Sequence, residues 1–234
     1  MKRARATGGE WIHRQMCDGA LIVSGSGEFE TLSSGLIGGG LGRKRYLLNL
    51  QVPHGYASDD PILDMEQRVH DLGLPVEGTT AMMTAAEVGE VVEGDRSGEQ
   101  FQLRVYVTAG VGNAARAGRK RRTYPGYVAG TINIIAAIDG RLTHAALVNC
   151  LITITEAKAA ALQDLGVLDA EGQVATGTTT DTVIVAATQH PEYSGVHQYA
   201  GVATELGNAL ADAVYQSLTA SLAHLKKRTE SYEC

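Results

Sequence analysis

The sequence predicts a mixed fold of strands and helices, α/β or α+β, in one domain. Three observations carry that expectation. Residues 130–188 read as strand, helix, strand: 131–138 (TINIIAAI) is β-rich and bounded by glycine turns, 142–165 has helical periodicity and stops at Gly166, and 178–188 (TTTDTVIVAAT) is again β-branched and apolar. A helix crossing between two strands implies that they pair in parallel with the helix packed on the sheet. Second, Leu103, Val105 and Val107 alternate with Arg104, Tyr106 and Thr108, a strand with one buried face from which Thr108 points away. Third, 234 residues that are 44% hydrophobic and 20% charged are long and apolar enough for a substantial core, with no linker or long repeat to divide them.

Taken in order, residues 1–19 are polar and are expected to form an irregular arm or an edge strand. Residues 20–24 (ALIVS) are a short strand followed by a loop at 25–27, and the glycine-rich run 33–40 (SSGLIGGG) is a bend rather than a helix. It lacks the Gly-Lys-Ser/Thr ending of a phosphate loop. Residues 46–52 form a strand stopped by Pro53; Asp60 then caps a helix with Pro61 at its first position and Ile62, Met65, Val69 and Leu72 at helical spacing. His70 on that helix reads as a surface residue. Residues 79–92 are ambiguous, with MMTAA and 87–92 both readable as strands. The strand 101–108 runs into the turn Ala109-Gly110-Val111-Gly112, which delivers Asn113 at its carboxyl end, where ligands bind in open sheets. A basic run from Arg116 to Arg122 reads as a solvated loop. One long helix from about 202 to 225 closes the chain, with leucines and Val214 along its packing stripe.

Bulk properties narrow the function. A net charge of −6 does not favour a nucleic-acid partner. Cys17, Cys150 and Cys234 have no metal spacing and cannot all pair, which fits a reducing cytoplasm. Residues 1–5 are basic but no apolar run follows, so neither a signal peptide nor a membrane span is expected. His190 and His197 lie seven apart with no third ligand in register, a weak zinc signal.

Two residues sit where packing alone would not put them. On the helix 142–165, Leu147, Leu151, Ile154, Leu162 and Leu165 form one stripe, and Lys158 falls inside it, while Glu156 falls on the other side. A lysine in an apolar stripe snorkels out, pairs with an acid or lines a cleft, and desolvation makes such an amine usable in proton transfer. Along the last strand, Asp181 shares a face with Val183 and Val185, and both faces read as buried, so its carboxylate is either a paired structural ion or a site residue. The sequence does not say whether Lys158 and Asp181 meet.

The motifs together resemble one family, the adenosylcobinamide amidohydrolases of corrinoid salvage. The resemblance is carried by SSGLIGGG at 33–40, NLQVP at 49–53, MMTAA at 82–86, TAGVGN at 108–113, GTINII at 130–135, TEAK at 155–158, ATGTTTD at 175–181 and YAGVATELG at 199–207. It spans nearly the whole chain in order; the arginine-rich insert at 116–122 and the basic amino terminus are not motif positions. It implies hydrolysis of the amide joining the aminopropanol arm to the corrin ring, giving adenosylcobyric acid and 1-amino-2-propanol. The substrate is then a small-molecule corrinoid with cobalt as cargo, no cofactor is held by the protein, and apolar helix faces leave a homo-oligomer open.

Amide hydrolysis needs an activated nucleophile, donors for the oxyanion and a proton for the leaving amine. On the motif positions, Glu156 is expected as the base for water, Lys158 or Asp181 as its tuner or proton carrier, and Asn113 and the backbone N–H groups around Gly177–Thr180 as oxyanion or substrate-amide donors. Ser33, Ser34, Thr108, Thr131, Asn133, Thr178, Thr179, Thr180 and Tyr199 are expected to bind substrate, with Asn133 donating to it. A rival route uses a hydroxyl of Ser33, Ser34 or Thr178–Thr180 as nucleophile. Alternatives from other classes are a non-catalytic corrinoid-binding protein, a nucleotide-dependent transferase using residues 38–42, and an amidase or acyltransferase on smaller amides. The order of strand, long helix and Gly/Thr-led strand is similar, as fold analogy only, to four-layer αββα hydrolases of the self-processing aminopeptidase type.

Overall fold

The computed structural model describes residues 11–119 and 130–232, with side chains described up to 225. The sequence readings at 1–10, at 120–129 and at Cys234 lie outside the described residues. Ten strands and three α-helices follow in order: β1 (Ile12–Cys17), β2 (Ala20–Ser33), β3 (Gly40–Gln51), α1 (Pro61–Asp71), β4 (Thr79–Thr84), β5 (Val92–Gly98), β6 (Phe101–Ala109), β7 (Ala114–Ala115), β8 (Ile132–Gly140), α2 (His144–Asp164), β9 (Gly177–Thr178), β10 (Thr182–Ala187) and α3 (Glu205–Tyr232). Eight strands form one mixed sheet in the order β4-β3-β2-β10-β8-β6-β5, with β1 on the remaining edge of β2. As the helix between them requires, β8 and β10 are parallel.

The sheet is bent back on itself through β2. The expected loop at 25–27 is a bulge inside this one long strand, where the register against β3 shifts between Ser24 and Phe29. The first half of β2 pairs with β1 and its last residues pair with β10. Two leaves therefore face each other. Leu21, Val23, Phe29, Leu47 and Met82 from β2–β4 meet Tyr106, Ile135, Ala137, Ile184 and Ala186 from β6, β8 and β10 in the inner core. The opposite parity of the same strands packs on helices: Ile22, Leu48 and Leu50 against Met65 and Val69 of α1, and Val105, Ile134 and Val185 against α2 and α3. The result is a helix–sheet–sheet–helix sandwich, the four-layer arrangement among those expected. It also corrects the reading of β6, because the second leaf buries its other face from Tyr106 to Thr108.

Local signals hold at most element ends. Asp60 caps α1 through Leu63 N, 3.0 Å from Oδ1, with Pro61 opening the helix. Thr143 caps α2 in the same way, and Gly166 follows that helix at φ +62°, a value glycine takes without strain. The arm before residue 19 provides the edge strand β1. The ambiguous segment is β4 followed by a 3₁₀ turn at Val88–Glu90, not a second strand. By length and composition α2 is apolar enough to cross a membrane, but here one face packs into the core.

Candidate active site

At one end of the sandwich the carboxyl ends of β3 and β4 oppose the amino ends of β8 and β10, and a cleft of about 360 Å³ opens between them. Its walls differ. Leu36, Val52, Pro53, Tyr56, Met82 and Met83 make an apolar side, while Ser34, Thr131, Thr180, Asp181 and Thr182 make a polar one. Such a pairing of apolar surface with a few fixed polar groups is how small-molecule sites orient a ligand. Tyr56 is anchored by its hydroxyl, which donates to Asp64 at 2.6 Å and holds that exposed carboxyl below its ordinary range, with Ser58 assisting.

Lys158 and Asp181 do meet. Asp181 has the parity of Val183, so it faces the helix layer, and Lys158 reaches it from the buried side of α2. They form an ion pair with side chains 10% and 11% exposed. The carboxylate also accepts from Ile132 N (3.1 Å), Thr178 N (3.0 Å) and Thr178 Oγ1 (2.5 Å). Gly177 leaves room for the pair: a Cβ there would overlap Asp181 Oδ2 and lie 2.8 Å from Lys158 Nζ. The short pairing of β7 with β9 brings the next turn alongside, where the Asn113 amide donates to Thr179 Oγ1 at 2.7 Å and lies 3.4 Å from Thr180 Oγ1. Thr180 Oγ1 in turn donates to Gly130 O at 3.0 Å.

A second polar cluster lies on the inner face of the leaves. The Asn49 amide donates to Thr108 Oγ1, and the Asn133 amide donates to Asn49 Oδ1 and to Met83 O, each at 2.8 Å. Thr131 Oγ1 lies 3.2 Å from Asn133 Oδ1 and 2.8 Å from Thr180 O, which joins the two clusters. Asn49, Thr108 and Asn133 are all buried. Asn133 therefore has both N–H groups engaged inside the protein and is not a free donor to a ligand, contrary to the expectation from sequence. Thr108 is likewise behind the cleft rather than on it.

Several expected residues stand elsewhere. Glu156 is exposed, and two residues of helix rotation, about 200°, put it on the far side of α2 from Lys158. It does not join the cleft, and the pairing of Glu156 with Lys158 or Asp181 is corrected by that helical phase. Tyr199 is 69% exposed and outside the cleft lining. Ser33 is buried and accepts from Thr80 Oγ1 and Gly35 N, both at 2.9 Å. Ser34 lines the cleft, yet its hydroxyl accepts from Val183 N at 3.0 Å and so extends the β2–β10 ladder. His190 and His197 are apart in role: one lies 3.8 Å from Glu192, the other packs edge-on against Phe101. No group of three or more His, Cys, Asp or Glu suited to a metal occurs among the described residues. Sequence reasoning missed Asn49. The signal for Asn49 was available: it shares strand parity with Leu47, so a polar side chain had to enter the core.

Comparison with known proteins agrees with the motif reading. A family model described as adenosylcobinamide amidohydrolase matches residues 3–230. The adenosylcobinamide amidohydrolase of Methanosarcina mazei is 33% identical over 213 residues, covering 88% of this chain and 94% of that protein. An uncharacterized protein of Methanocaldococcus jannaschii is 30% identical over 179 residues, 68% of this chain and 69% of its own length. Among solved structures, a protein from Pyrococcus horikoshii OT3 aligns with TM-score 0.48 at 14% identity, covering 87% of this chain and 77% of the other. With the family model spanning nearly the whole sequence, this chain belongs to the adenosylcobinamide amidohydrolase family.

Proposed function

We propose that this chain hydrolyses the amide joining the aminopropanol arm to the corrin ring of adenosylcobinamide, releasing adenosylcobyric acid and 1-amino-2-propanol for corrinoid salvage. The observation that carries the reading is a carboxylate in the polar wall of a cleft, backed by a buried ammonium, in a chain matched to this family over residues 3–230. The cleft is far smaller than a corrin ring with its amide arms. It takes the aminopropanol arm and the scissile amide, and the ring stays at the mouth with its cobalt as cargo.

Asp181 is the carboxylate that lines the cleft, and it is the base in this reading. Water attacks the amide carbonyl carbon and gives a proton to Asp181. Lys158 has three N–H donors, and one acceptor, Asp181, among the described residues. Asp181 then passes the proton taken from water to the departing nitrogen as the C–N bond breaks and is left as the carboxylate again, with Lys158 donating to it from behind throughout. Thr182 lines the cleft and spends its proton only on a 3.4 Å bond to Thr180 O, so its hydroxyl is the one that turns to the amide oxygen, while Thr180 is held by Asn113 and Gly130. The acidic total, −6, supports a partner other than nucleic acid, and the free Cys17 and Cys150 support a cytoplasmic setting.

The test is to incubate the purified protein with adenosylcobinamide and quantify both products by liquid chromatography and mass spectrometry. Lys158→Ala is expected to stop product formation in a folded protein. Glu156→Gln, an exposed change, is expected to leave the rate within about twofold, as surface substitutions do. Tight corrinoid binding with no free aminopropanol would select the non-catalytic reading instead. An acyl adduct on Thr178, Thr180 or Ser34 would replace water with a covalent route.

A further inference from the structure

We propose that Thr131 Oγ1 is the hydrogen-bond acceptor for the N–H of the scissile amide, and that Asn133 and Asn49 are positioning residues that keep its proton turned away from the cleft. The inference rests on the amide hydrolysis proposed above and adds what the site demands of its substrate: an N–H at the leaving position.

The direction of every bond in the inner cluster follows from one backbone carbonyl. Met83 O can only accept, so the group of Asn133 lying 2.8 Å from it is the amide nitrogen. The second proton of that nitrogen goes to Asn49, which must present its oxygen, and the nitrogen of Asn49 then faces Thr108 Oγ1. With its nitrogen committed, Asn133 turns its carbonyl oxygen toward Thr131. The other polar neighbour of Thr131 Oγ1 is Thr180 O, again a pure acceptor. A hydroxyl has one proton, and both flanking atoms require it. No described group donates to Thr131 Oγ1, so its lone pairs are what remains, and Thr131 lines the cleft.

An oxygen fixed as an acceptor selects for a donor. The bond to be cut is a secondary amide and carries one N–H. An ester of the same shape places an oxygen there, and two lone-pair-bearing atoms repel. Burial makes the discrimination sharper, because Thr131 is only 4% exposed and water cannot serve as a substitute partner. The supporting residues are otherwise hard to explain: Asn49 and Asn133 are 1% and 0% exposed among Leu47, Tyr106 and Ile135, where apolar side chains would pack at lower desolvation cost. A hydrogen-bonded network in that position fixes a direction.

The experiment compares adenosylcobinamide with the analogue whose linking N–H is replaced by oxygen, by equilibrium binding from the corrin absorbance at a pH and temperature where neither turns over appreciably. Losing one buried hydrogen bond and leaving its acceptor unpaired predicts a preference for the amide of about tenfold or more in the wild type. Thr131→Val, which keeps the shape, should bring the two affinities within about twofold, and Thr131→Ser should restore the preference. Asn49→Leu, which touches nothing in the cleft, should lower the preference while leaving Thr131 in place; circular dichroism and melting verify that each variant is folded. Equal affinity of the wild type for both compounds, or a Thr131→Val protein that keeps the wild-type preference, overturns the proposal. If Asn49→Leu does not fold, Thr108→Val probes the same link from its other end. Failure of the reaction itself is a separate result, since a wild type that releases no aminopropanol still reports the binding ratio.

Discussion

Lys158 and Asp181 are unequal partners, and removing one should not cost what removing the other costs. Asp181 accepts from Lys158 and also from Ile132 N, Thr178 N and Thr178 Oγ1. Lys158 has Asp181 as its one acceptor among the described residues. In Lys158→Met the side chain keeps its length along the α2 stripe, and the carboxylate retains three donors. The loss is then one charge-assisted bond, about 2 kcal/mol. In Asp181→Ala the ammonium is stranded with a side chain only 10% exposed, where solvent screens little, and two backbone N–H groups lose their acceptor. Breaking a buried pair from that side costs about 3–5 kcal/mol. Urea unfolding followed by the fluorescence of Trp11, the single tryptophan, measures both differences in one assay. At roughly 2–4 °C per kcal/mol for a chain of this size, the melting shifts should be about 4–8 °C and 6–20 °C. A Lys158→Met protein that loses as much as Asp181→Ala, at unchanged m-value, would falsify the claim that the loop of Thr178 and Ile132 holds the carboxylate independently of the lysine.

Two further outcomes follow from packing around the same layer. Gly177 has no left-handed φ, so alanine there would be neutral to stabilising by about 0.4–1 kcal/mol if space allowed. Because its Cβ would overlap Asp181 Oδ2, Gly177→Ala should instead lower stability by about 2–4 kcal/mol and depress hydrolysis; a raised urea midpoint would show that the pair yields freely. Cys150 is fully buried on α2, and burial pushes its thiol up to about 12. Mass mapping after treatment of the native protein with a maleimide at pH 8 should therefore find Cys150 unmodified, with labelling only after denaturation.

The sequence made the outer architecture legible because its signals are local. Proline after aspartate at 60–61 marks a helix start, the alternation of 103–107 marks a strand, and a helix between two β-branched runs forces a parallel pair. What it could not show depends on the bend of β2. A Gly-Ser-Gly at 25–27 reads equally as a loop between short strands or as a bulge inside one long strand, and only the second folds the sheet over. That fold-over is what buries Tyr106 and Thr108 on the face expected to be free, and what brings Asn49 of β3 against Asn133 of β8 across 84 residues. Helical phase separated Glu156 from Lys158 on the wheel, yet the motif containing both suggested a joint role. The wheel is decided by backbone geometry, and it prevails over adjacency in a string.

The same fold-over explains why the two walls of the cleft carry different chemistry. The apolar wall comes from the ends of β3 and β4, the loop leading to α1 and Leu36 of the bend after β2, while the polar wall comes from 130–131 and 180–182 with Ser34 of the same bend. Each wall is anchored by its own layer: Met65 and Val69 of α1 pack behind the first, and Lys158 of α2 reaches the second. Asn133 ties one to the other directly, through Met83 O on one side and Thr131 on the other. The apolar wall can thus be altered to suit a different ligand edge without disturbing Asp181, provided the Asn133 bridge survives. A substitution at Leu36 or Val52 should consequently act on substrate affinity, and a substitution at Asn133 on the alignment of both walls together.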